Sequence, residues 1–217
     1  MNGQFGAVIV AAGSSSRMGG KGSKVLENLG GKPVLLYSFQ VLAQCPWIGE
    51  LCVVCREEDQ QRIETLLSGK TDKPVTVVPG GKERQDSVLA GVNALSPERS
   101  YLLIHDGARP FVTPETADAV CRDAVAYGAS TAAVPAKDTC KLSDGHGFVE
   151  STPARERLMA VQTPQAFERE MYLYAARKAM GTGISYTDDC QLIEAAGGQV
   201  RLTPGDYRNI KLTTPED

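Results

Sequence analysis

Short apolar runs alternate with amphipathic segments along the first part of the chain. Each run of β-branched or aliphatic residues predicts a strand, and the spacing of apolar positions after it predicts a helix. The predicted strands cover residues 7–10, 51–54, 75–78 and 102–104, and the helices that follow them cover 34–43, 59–67, 83–95 and 114–127. This order predicts an α/β fold, a Rossmann-like and mostly parallel sheet with helices on both faces. Ligands of such sheets bind at the carboxyl ends of the strands, so functional side chains are expected there.

The pattern changes after residue 136. The segment DTCKLSDGHGFVEST holds two short alternating runs around Asp144-Gly145, which is a strong signal for a hairpin turn. We interpret residues 137–156 as a β-hairpin arm that protrudes from a single domain of residues 1–217. Because a two-stranded arm is marginal in water unless it packs on something, the arm predicts a homodimer. Beyond the arm, a strand through LMAVQTPQAF and helices over 168–180 and 187–196 are predicted.

Composition and charge narrow the class of protein. With 217 residues, 42% of them hydrophobic, the chain can bury a sizeable core. Its net charge of −3 argues against nucleic acid or an anionic membrane as a partner, so an anionic ligand must be held by a local pocket. No segment approaches the roughly 18 apolar residues that a membrane span needs, and the N-terminus has no signal-peptide pattern. We therefore expect a cytoplasmic protein with reduced cysteines, in which Cys52 and Cys55 point to opposite faces of a strand.

The first predicted strand ends in a loop rich in glycine and serine, AAGSSSRMGGKGSK. The spacing of a Walker A loop fails, because Ser15 and Gly22 stand where it needs a glycine and a hydroxyl residue. The dinucleotide fingerprint fails as well, because Ser15 and Met18 replace two of its glycines. What remains are small residues that let backbone N–H groups approach a phosphate, with Arg17 and Lys24 as cations. The loop by itself leaves two interpretations open, a phosphate cradle and a solvated connection.

A second charged cluster follows the buried strand of YLLIHDGARPF. A carboxylate at the end of an apolar strand needs a cation or hydrogen bonds, so Asp106 predicts a Mg²⁺ site, with an ion pair to Arg109 or a helix cap as alternatives. His105 is interpreted as a hydrogen-bonded packing residue without a chemical role. Further polar groups lie near other strand ends, in PGGKERQDSVLAG, in STPARERLMAVQTPQAF and at Lys211, which follows a strand-like segment. Their joint occurrence favours a functional site over surface decoration.

These motifs form a recognisable series. AAGSSSRM, GGKERQDSVLAG, HDGARPF, KDTCK, TPQAF, TDD and NIKLTTPED closely resemble, in this order, the 2-C-methyl-D-erythritol 4-phosphate cytidylyltransferase family over essentially the whole chain. The resemblance implies that CTP and methylerythritol phosphate give the CDP-alcohol and pyrophosphate in non-mevalonate isoprenoid biosynthesis. It further implies in-line attack of the acceptor phosphate on the α-phosphorus, Mg²⁺ as cofactor, and an arm that two subunits exchange.

Roles for individual residues follow from the resemblance by position. Arg17 and Lys24 would hold the phosphates and stabilise the transition state, and Arg155 and Lys211 would steer the acceptor phosphate. Asp106 would bind Mg²⁺. The remaining matched positions would contact the two substrates: Ala11, Ala12, Gly13, Gly81, Ser87, Asp106 and Gly107 the nucleotide, and Arg109, Thr139 and Thr163 the acceptor.

Two rival functions stay open at this point. One is ribitol 5-phosphate cytidylyltransferase, which uses the same chemistry on a similar polyol phosphate but tends to carry a valine where Ala108 stands. The other is a nucleotide-binding module that kept the fold and lost catalysis. The joint presence of Arg17, Lys24, Asp106 and Lys211 argues against a mere binding module.

Overall fold

The computed structural model describes residues 3–13, 23–180, 186–214 and 216–217. Its regular elements are, in chain order, β1 (Phe5–Val10), β2 (Asn28–Leu29), β3 (Lys32–Pro33), α1 (Val34–Gln44), β4 (Ile48–Cys55), α2 (Gln60–Leu67), β5 (Val75–Pro79), α3 (Arg84–Ala94), β6 (Tyr101–Asp106), α4 (Pro114–Tyr127), β7 (Ala129–Pro135), β8 (Leu142–Ser143), β9 (Val149–Ser151), β10 (Met159–Glu168), α5 (Arg169–Ala179), α6 (Cys190–Ala195) and β11 (Arg201–Pro204). Short 3₁₀ turns lie at Lys24–Leu26, Glu57–Asp59 and Arg155–Arg157.

A seven-stranded sheet forms the centre of the molecule, in the order β11-β7-β10-β6-β1-β4-β5. β10 runs antiparallel to both of its neighbours, and the other strands all point in one direction. The predicted mostly parallel α/β sheet is therefore confirmed. Because β10 is reversed, its first residues lie at the edge where the parallel strands end.

Two apolar layers cover the two faces of the sheet. Strand residues alternate between them, as the twofold repeat of a strand requires: Ile9 and Val53 face one layer, and Val8 and Val54 face the other. α1, α2 and α4 pack on the first face, and α3, α5 and α6 pack on the second. Cys52 and Cys55 fall in opposite layers, and all six cysteines are free thiols, as predicted.

Helices begin and end at the predicted residues where the capping groups come from residues next to the helix in the sequence. α4 has the predicted bounds, because the Thr113 side chain accepts a hydrogen bond from the N–H of Thr116 and Gly128 takes a positive φ of 86° after the last turn. The helix predicted over 187–196 is shorter than expected and begins only at Cys190. Its predicted first turn is instead a loop in which the Asp188 carboxylate accepts from the N–H of Gln191.

The arm predicted between β7 and β10 is present as a hairpin. β8 and β9 pair only with each other within the described chain, around the turn at Asp144-Gly145. Every residue from 137 to 152 is exposed. Within the described residues, no helix is long and apolar enough to cross a bilayer.

Candidate active site

A polar pocket opens at the carboxyl ends of β1, β5 and β6, where the fold predicts ligand binding. Four cationic and two acidic side chains lie among its lining residues, so the pocket is locally positive in a chain whose net charge is −3. The lining comprises Val10, Ala11, Ala12, Gly13, Lys24, Val25, Gly81, Lys82, Glu83, Arg84, Ser87, Asp106, Ala108, Lys211 and Thr213. The structure therefore contains a local positive pocket of the kind expected for an anionic ligand.

Asp106 is the centre of charge in this pocket. It ends β6, and its carboxylate lies 2.8 Å from the Lys211 ammonium and 3.7 Å from both the Arg84 and the Arg109 guanidinium groups. Burial alone would raise the pKa of Asp106, but Lys211, Arg84 and Arg109 together lower it to about 2. The carboxylate is therefore ionised at neutral pH and partly neutralised by cations from three separate segments.

Arg84 is a site residue to which the sequence analysis gave no role. It begins α3, and its guanidinium spans the pocket floor, with Nη1 2.6 Å from Asp189 and Nη2 facing Asp106. The Tyr172 hydroxyl donates to the second oxygen of Asp189, and the N–H of Asp189 donates to Gln165. Burial alone would lower the pKa of Arg84, but the carboxylates of Asp189 and Asp106 outweigh this effect and raise it. The TDD and TPQ motifs thus support this arginine from behind.

One wall of the pocket is a glycine turn between β5 and α3. The N–H of Gly81 donates to the Ser87 hydroxyl, which donates in turn to the carbonyl of Glu83 at the N-terminus of α3. A Cβ on Gly80 would lie 2.6 Å from Ala12 and 2.7 Å from Ser87 Oγ, so the turn approaches the end of β1 closely. Glycine is required here because a larger residue would force the two walls apart.

His105 and Thr163 lie beneath the pocket. The Thr163 hydroxyl accepts a hydrogen bond from the N–H of Asp106 at 3.0 Å and contacts His105 Nδ1 at 3.0 Å. Burial, the largest cause, lowers the pKa of His105 to about 4, so the imidazole is neutral. His105 is a hydrogen-bonded packing residue, as expected. Thr163 is itself buried, and its predicted contact with the acceptor stays a prediction.

The other predicted residues fall into three places. Gly107 lies just under the pocket, where its N–H donates to the carbonyl of Val10. Arg109 is mostly buried beside Asp106, with Nη1 donating to the carbonyl of Asn209 at 2.7 Å. Thr139 and Arg155 belong to the exposed arm and its root, away from the pocket lining.

The glycine- and serine-rich loop is described only at its two ends. Ala11, Ala12 and Gly13 on one side and Lys24 on the other line the pocket. Arg17 lies outside the described residues, so its role stays a prediction. Lys211 enters the pocket from irregular chain after β11, rather than directly from a strand. Asn209 O binds Arg109 and Leu212 N donates to Ala108 O, and these contacts tie that irregular segment to the end of β6.

Mg²⁺ was predicted at Asp106. Among the described residues, no group of three or more His, Cys, Asp or Glu side chains comes together as a metal centre. A single carboxylate facing a cationic pocket nevertheless fits Mg²⁺, which commonly uses one or two carboxylates together with phosphate oxygens and water. The phosphate oxygens of a bound ligand would supply the further ligands that such a site needs.

A parallel α/β sheet with a cationic pocket, a carboxylate and a glycine turn at its strand ends is the arrangement of a nucleotide-dependent transferase. Comparison with known proteins agrees. The family model for IspD, 2-C-methyl-D-erythritol 4-phosphate cytidylyltransferase, matches residues 5–217. The enzyme of that name from Caldanaerobacter subterraneus is 44% identical over 97% of this chain and 94% of its own.

Two further relatives extend the comparison. The bifunctional enzyme IspD/IspF of Desulforudis audaxviator is 47% identical over 97% of this chain, which spans 54% of that longer protein. The crystal structure of 4-diphosphocytidyl-2C-methyl-D-erythritol synthase from Anaerococcus prevotii superposes with a TM-score of 0.87 at 32% identity, covering 98% of this chain and 93% of the other.

The chain belongs to the 2-C-methyl-D-erythritol 4-phosphate cytidylyltransferase family. Two predictions are thereby confirmed: the chain is an enzyme, and its reaction is cytidylyl transfer from CTP to methylerythritol phosphate in the non-mevalonate pathway.

Proposed function

We propose that the pocket around Asp106 is where this reaction takes place. One phosphate oxygen of methylerythritol phosphate attacks the α-phosphorus of CTP in line, the P–O bond to the β-phosphate breaks, and pyrophosphate leaves. The observation that carries the proposal is the group of Arg84, Arg109 and Lys211 around Asp106 in a chain of net negative charge. Bringing a phosphate monoester against a triphosphate is repulsive unless cations compensate each contact. Catalysis then consists of positioning and electrostatic stabilisation.

The residues divide the work by their position in the pocket. The backbone of Ala11, Ala12 and Gly13 and the Gly81–Ser87 turn form two facing walls that hold the nucleotide, and Gly107 supports them from below. Lys24 and Arg17 stabilise the negative charge that develops on the phosphates in the transition state. Lys211 binds the acceptor phosphate, and Arg155, Arg109, Thr139 and Thr163 help to place it.

We propose that Mg²⁺ would bind together with CTP and would not be a resident ion of the protein. Asp106 would hold it together with phosphate oxygens, because the described pocket offers no cluster of acidic ligands. When bound, Mg²⁺ would neutralise phosphate charge and screen the triphosphate from the incoming anion. Lys211, whose ammonium lies 2.8 Å from the Asp106 carboxylate, would bind the acceptor phosphate.

We propose that the arm forms the contact between two copies of the chain, each a single domain of residues 1–217. Leu142, Phe148 and Val149 are exposed on it, with Phe148 75% accessible. A hairpin with this much apolar surface gains stability by packing on a second subunit. Arg155 and Thr139 belong to this element, so the dimer would carry them to the partner's pocket. We place the protein in the cytoplasm, where its six thiols stay reduced.

The decisive experiment measures pyrophosphate release from CTP with Mg²⁺ and one acceptor at a time. Release with methylerythritol phosphate, and little or none with CTP alone, is expected. Faster turnover of ribitol 5-phosphate would transfer the assignment to the ribitol enzyme. No release with either polyol phosphate, despite measurable CTP binding, would indicate a nucleotide-binding module.

A further inference from the structure

Four residues, three of them buried and Arg109 mostly buried, form a closed ring of hydrogen bonds behind Asp106. His105 Nε2 contacts the carbonyl oxygen of Arg109 at 3.3 Å, and Arg109 Nη1 donates to the carbonyl of Asn209 at 2.7 Å. Asn209 Nδ2 donates to the carbonyl of Thr163 at 2.8 Å, and the Thr163 hydroxyl closes the ring on His105 Nδ1 at 3.0 Å. The ring joins three separate motifs, HDGAR, TPQ and NIK.

The partners of the ring fix the direction of its hydrogen bonds. A carbonyl oxygen only accepts, so the proton of the neutral imidazole sits on Nε2 and is donated to Arg109. Nδ1 then carries a lone pair, and the Thr163 hydroxyl must donate to it. The hydroxyl oxygen keeps its acceptor capacity for the N–H of Asp106 at 3.0 Å. Both nitrogens of His105 and both functions of the Thr163 hydroxyl are used.

This arrangement reaches Asp106 from two sides. Through Thr163, His105 holds the backbone N–H of the residue whose carboxylate faces the pocket. Through the Arg109 carbonyl, it holds the loop whose guanidinium lies 3.7 Å from the same carboxylate. His105 and Asn209 are fully buried and Thr163 is 4% exposed, so the ring acts on the pocket from beneath its lining.

We propose that His105 is a positioning residue, which in its Nε2–H form orients Thr163 and thereby Asp106. Only the kinetic test of this proposal rests on the proposed function, because that test measures the misplacement of Asp106 as a loss of cytidylyl transfer. Partners that orient metal-binding and catalytic groups typically contribute about 10- to 100-fold to activity.

The first test needs no turnover. Nitrogen NMR of the imidazole rings at pH 7 distinguishes the two neutral tautomers, and the chain has two histidines, so the exposed His146 serves as an internal reference. We expect the Nε2–H form at His105 and slow hydrogen exchange at the amide of Asp106, which becomes faster in Thr163→Val. An Nδ1–H tautomer, or an Asp106 amide whose exchange does not respond to Thr163→Val, overturns the proposal.

The second test separates the two nitrogens by activity. His105→Asn retains an acceptor near the Nδ1 position, His105→Gln retains a donor near the Nε2 position, and His105→Leu retains neither. The expected result is a fall in kcat of about 10- to 100-fold for His105→Leu, with KM for CTP changed by less than about threefold. His105→Asn recovers more activity than His105→Gln, and this difference disappears in a Thr163→Val background, because both act through the same hydroxyl.

Matched variants keep the result interpretable. Ser130→Ala removes another buried hydroxyl, which donates to the Val120 carbonyl at 2.7 Å away from the pocket, and should leave kcat unchanged. If His105→Leu does not fold, the comparison of the Asn and Gln variants still decides. Equal activity of those two variants, or additive effects with Thr163→Val, contradicts the proposal. If the wild-type protein itself releases no pyrophosphate, the proposed function fails while the NMR test of the ring stands.

Discussion

The two ends of the proposed site are built in opposite ways. Asp106 lies at the end of a central strand, with cations on three sides and a ring of buried hydrogen bonds behind it. The arm that carries Thr139 and Arg155 is exposed from residue 137 to 152. Its root is held by few contacts, such as Arg155 Nη1 to the Lys137 carbonyl and the Lys137 ammonium over the Tyr207 ring.

This contrast separates two tasks. Groups that handle the triphosphate must not reorganise as charge develops, so they are embedded in the core. Thr139 and Arg155, which we propose help to place the acceptor, are instead carried by the arm, which we propose packs on a second subunit. Changes at the first end should therefore act on chemistry at any protein concentration, and changes at the second should act through assembly.

Removing a cation from the rigid end gives the largest expected effect. Lys211→Ala should lower kcat/KM by about 10² to 10³, because a preorganised positive charge is lost from the pocket. The measurement is steady-state pyrophosphate release at several protein concentrations, with the exposed Lys70→Ala as control. A fall that vanishes at high protein concentration, or a variant within about threefold of the wild type, would contradict the assignment of Lys211.

Acid should weaken the rigid end through His105. The pKa of His105 is about 4 when folded and about 6.5 in an unfolded chain, so the unfolded state takes up the proton first as pH falls. The stability contributed by the neutral imidazole is complete above about pH 6.5 and is lost toward pH 4, by about 3 kcal/mol. Urea unfolding at pH 7 and pH 4.5 measures this loss. The free energy of unfolding of His105→Asn should depend less on pH over that window. An identical pH dependence in this variant would show that His105 is not its cause.

A substitution on the arm tests the exposed end of the site. Phe148→Asp places a charge on the most exposed apolar residue of the hairpin and should weaken the proposed dimer by about 30-fold or more. Sedimentation velocity follows the dissociation, and activity should recover as protein concentration rises. CTP binding to the rigid end should persist. Phe148→Leu is the matched control, and a dimer unaffected by Phe148→Asp would place the interface elsewhere.

The smallest expected effect concerns the glycine turn. Ser87→Ala removes the hydroxyl that links the Gly81 amide to the Glu83 carbonyl, a net loss of about 1 kcal/mol. KM for CTP should rise about fivefold with kcat nearly unchanged. Ser130→Ala, which also loses one buried hydroxyl, should leave KM unchanged. An effect on kcat alone would mean that the turn does more than hold the nucleotide.

Local signals explain which parts of the fold could be predicted from sequence. α4 was bounded correctly because its start and end are decided by Thr113, Pro114 and Gly128, all adjacent to it. α6 was predicted too long because the carboxylate of Asp189 is occupied by Arg84 and Tyr172, partners that lie far away in sequence.

The same distinction holds in the site. The segments that line the pocket at the ends of β1, β5 and β6 could be predicted because parallel strands end at one edge of the sheet. Arg84 received no role, because a first-turn arginine looks like a solvated residue until Asp189, 105 positions later, is placed beside it. The ring behind Asp106 could not be predicted either, since it depends on the reversed direction of β10, which brings Thr163 to the pocket edge.

The position of the arm has an architectural consequence. Pro135 at the end of β7 and Met159 at the start of β10 are directly opposite each other in an antiparallel pair. Such a pair could be joined by a turn of about two residues, so the whole segment between them is dispensable for the topology of the sheet. The length and surface of this segment can therefore change, and with them the proposed contact between two copies, while the strand ends around Asp106 stay in place.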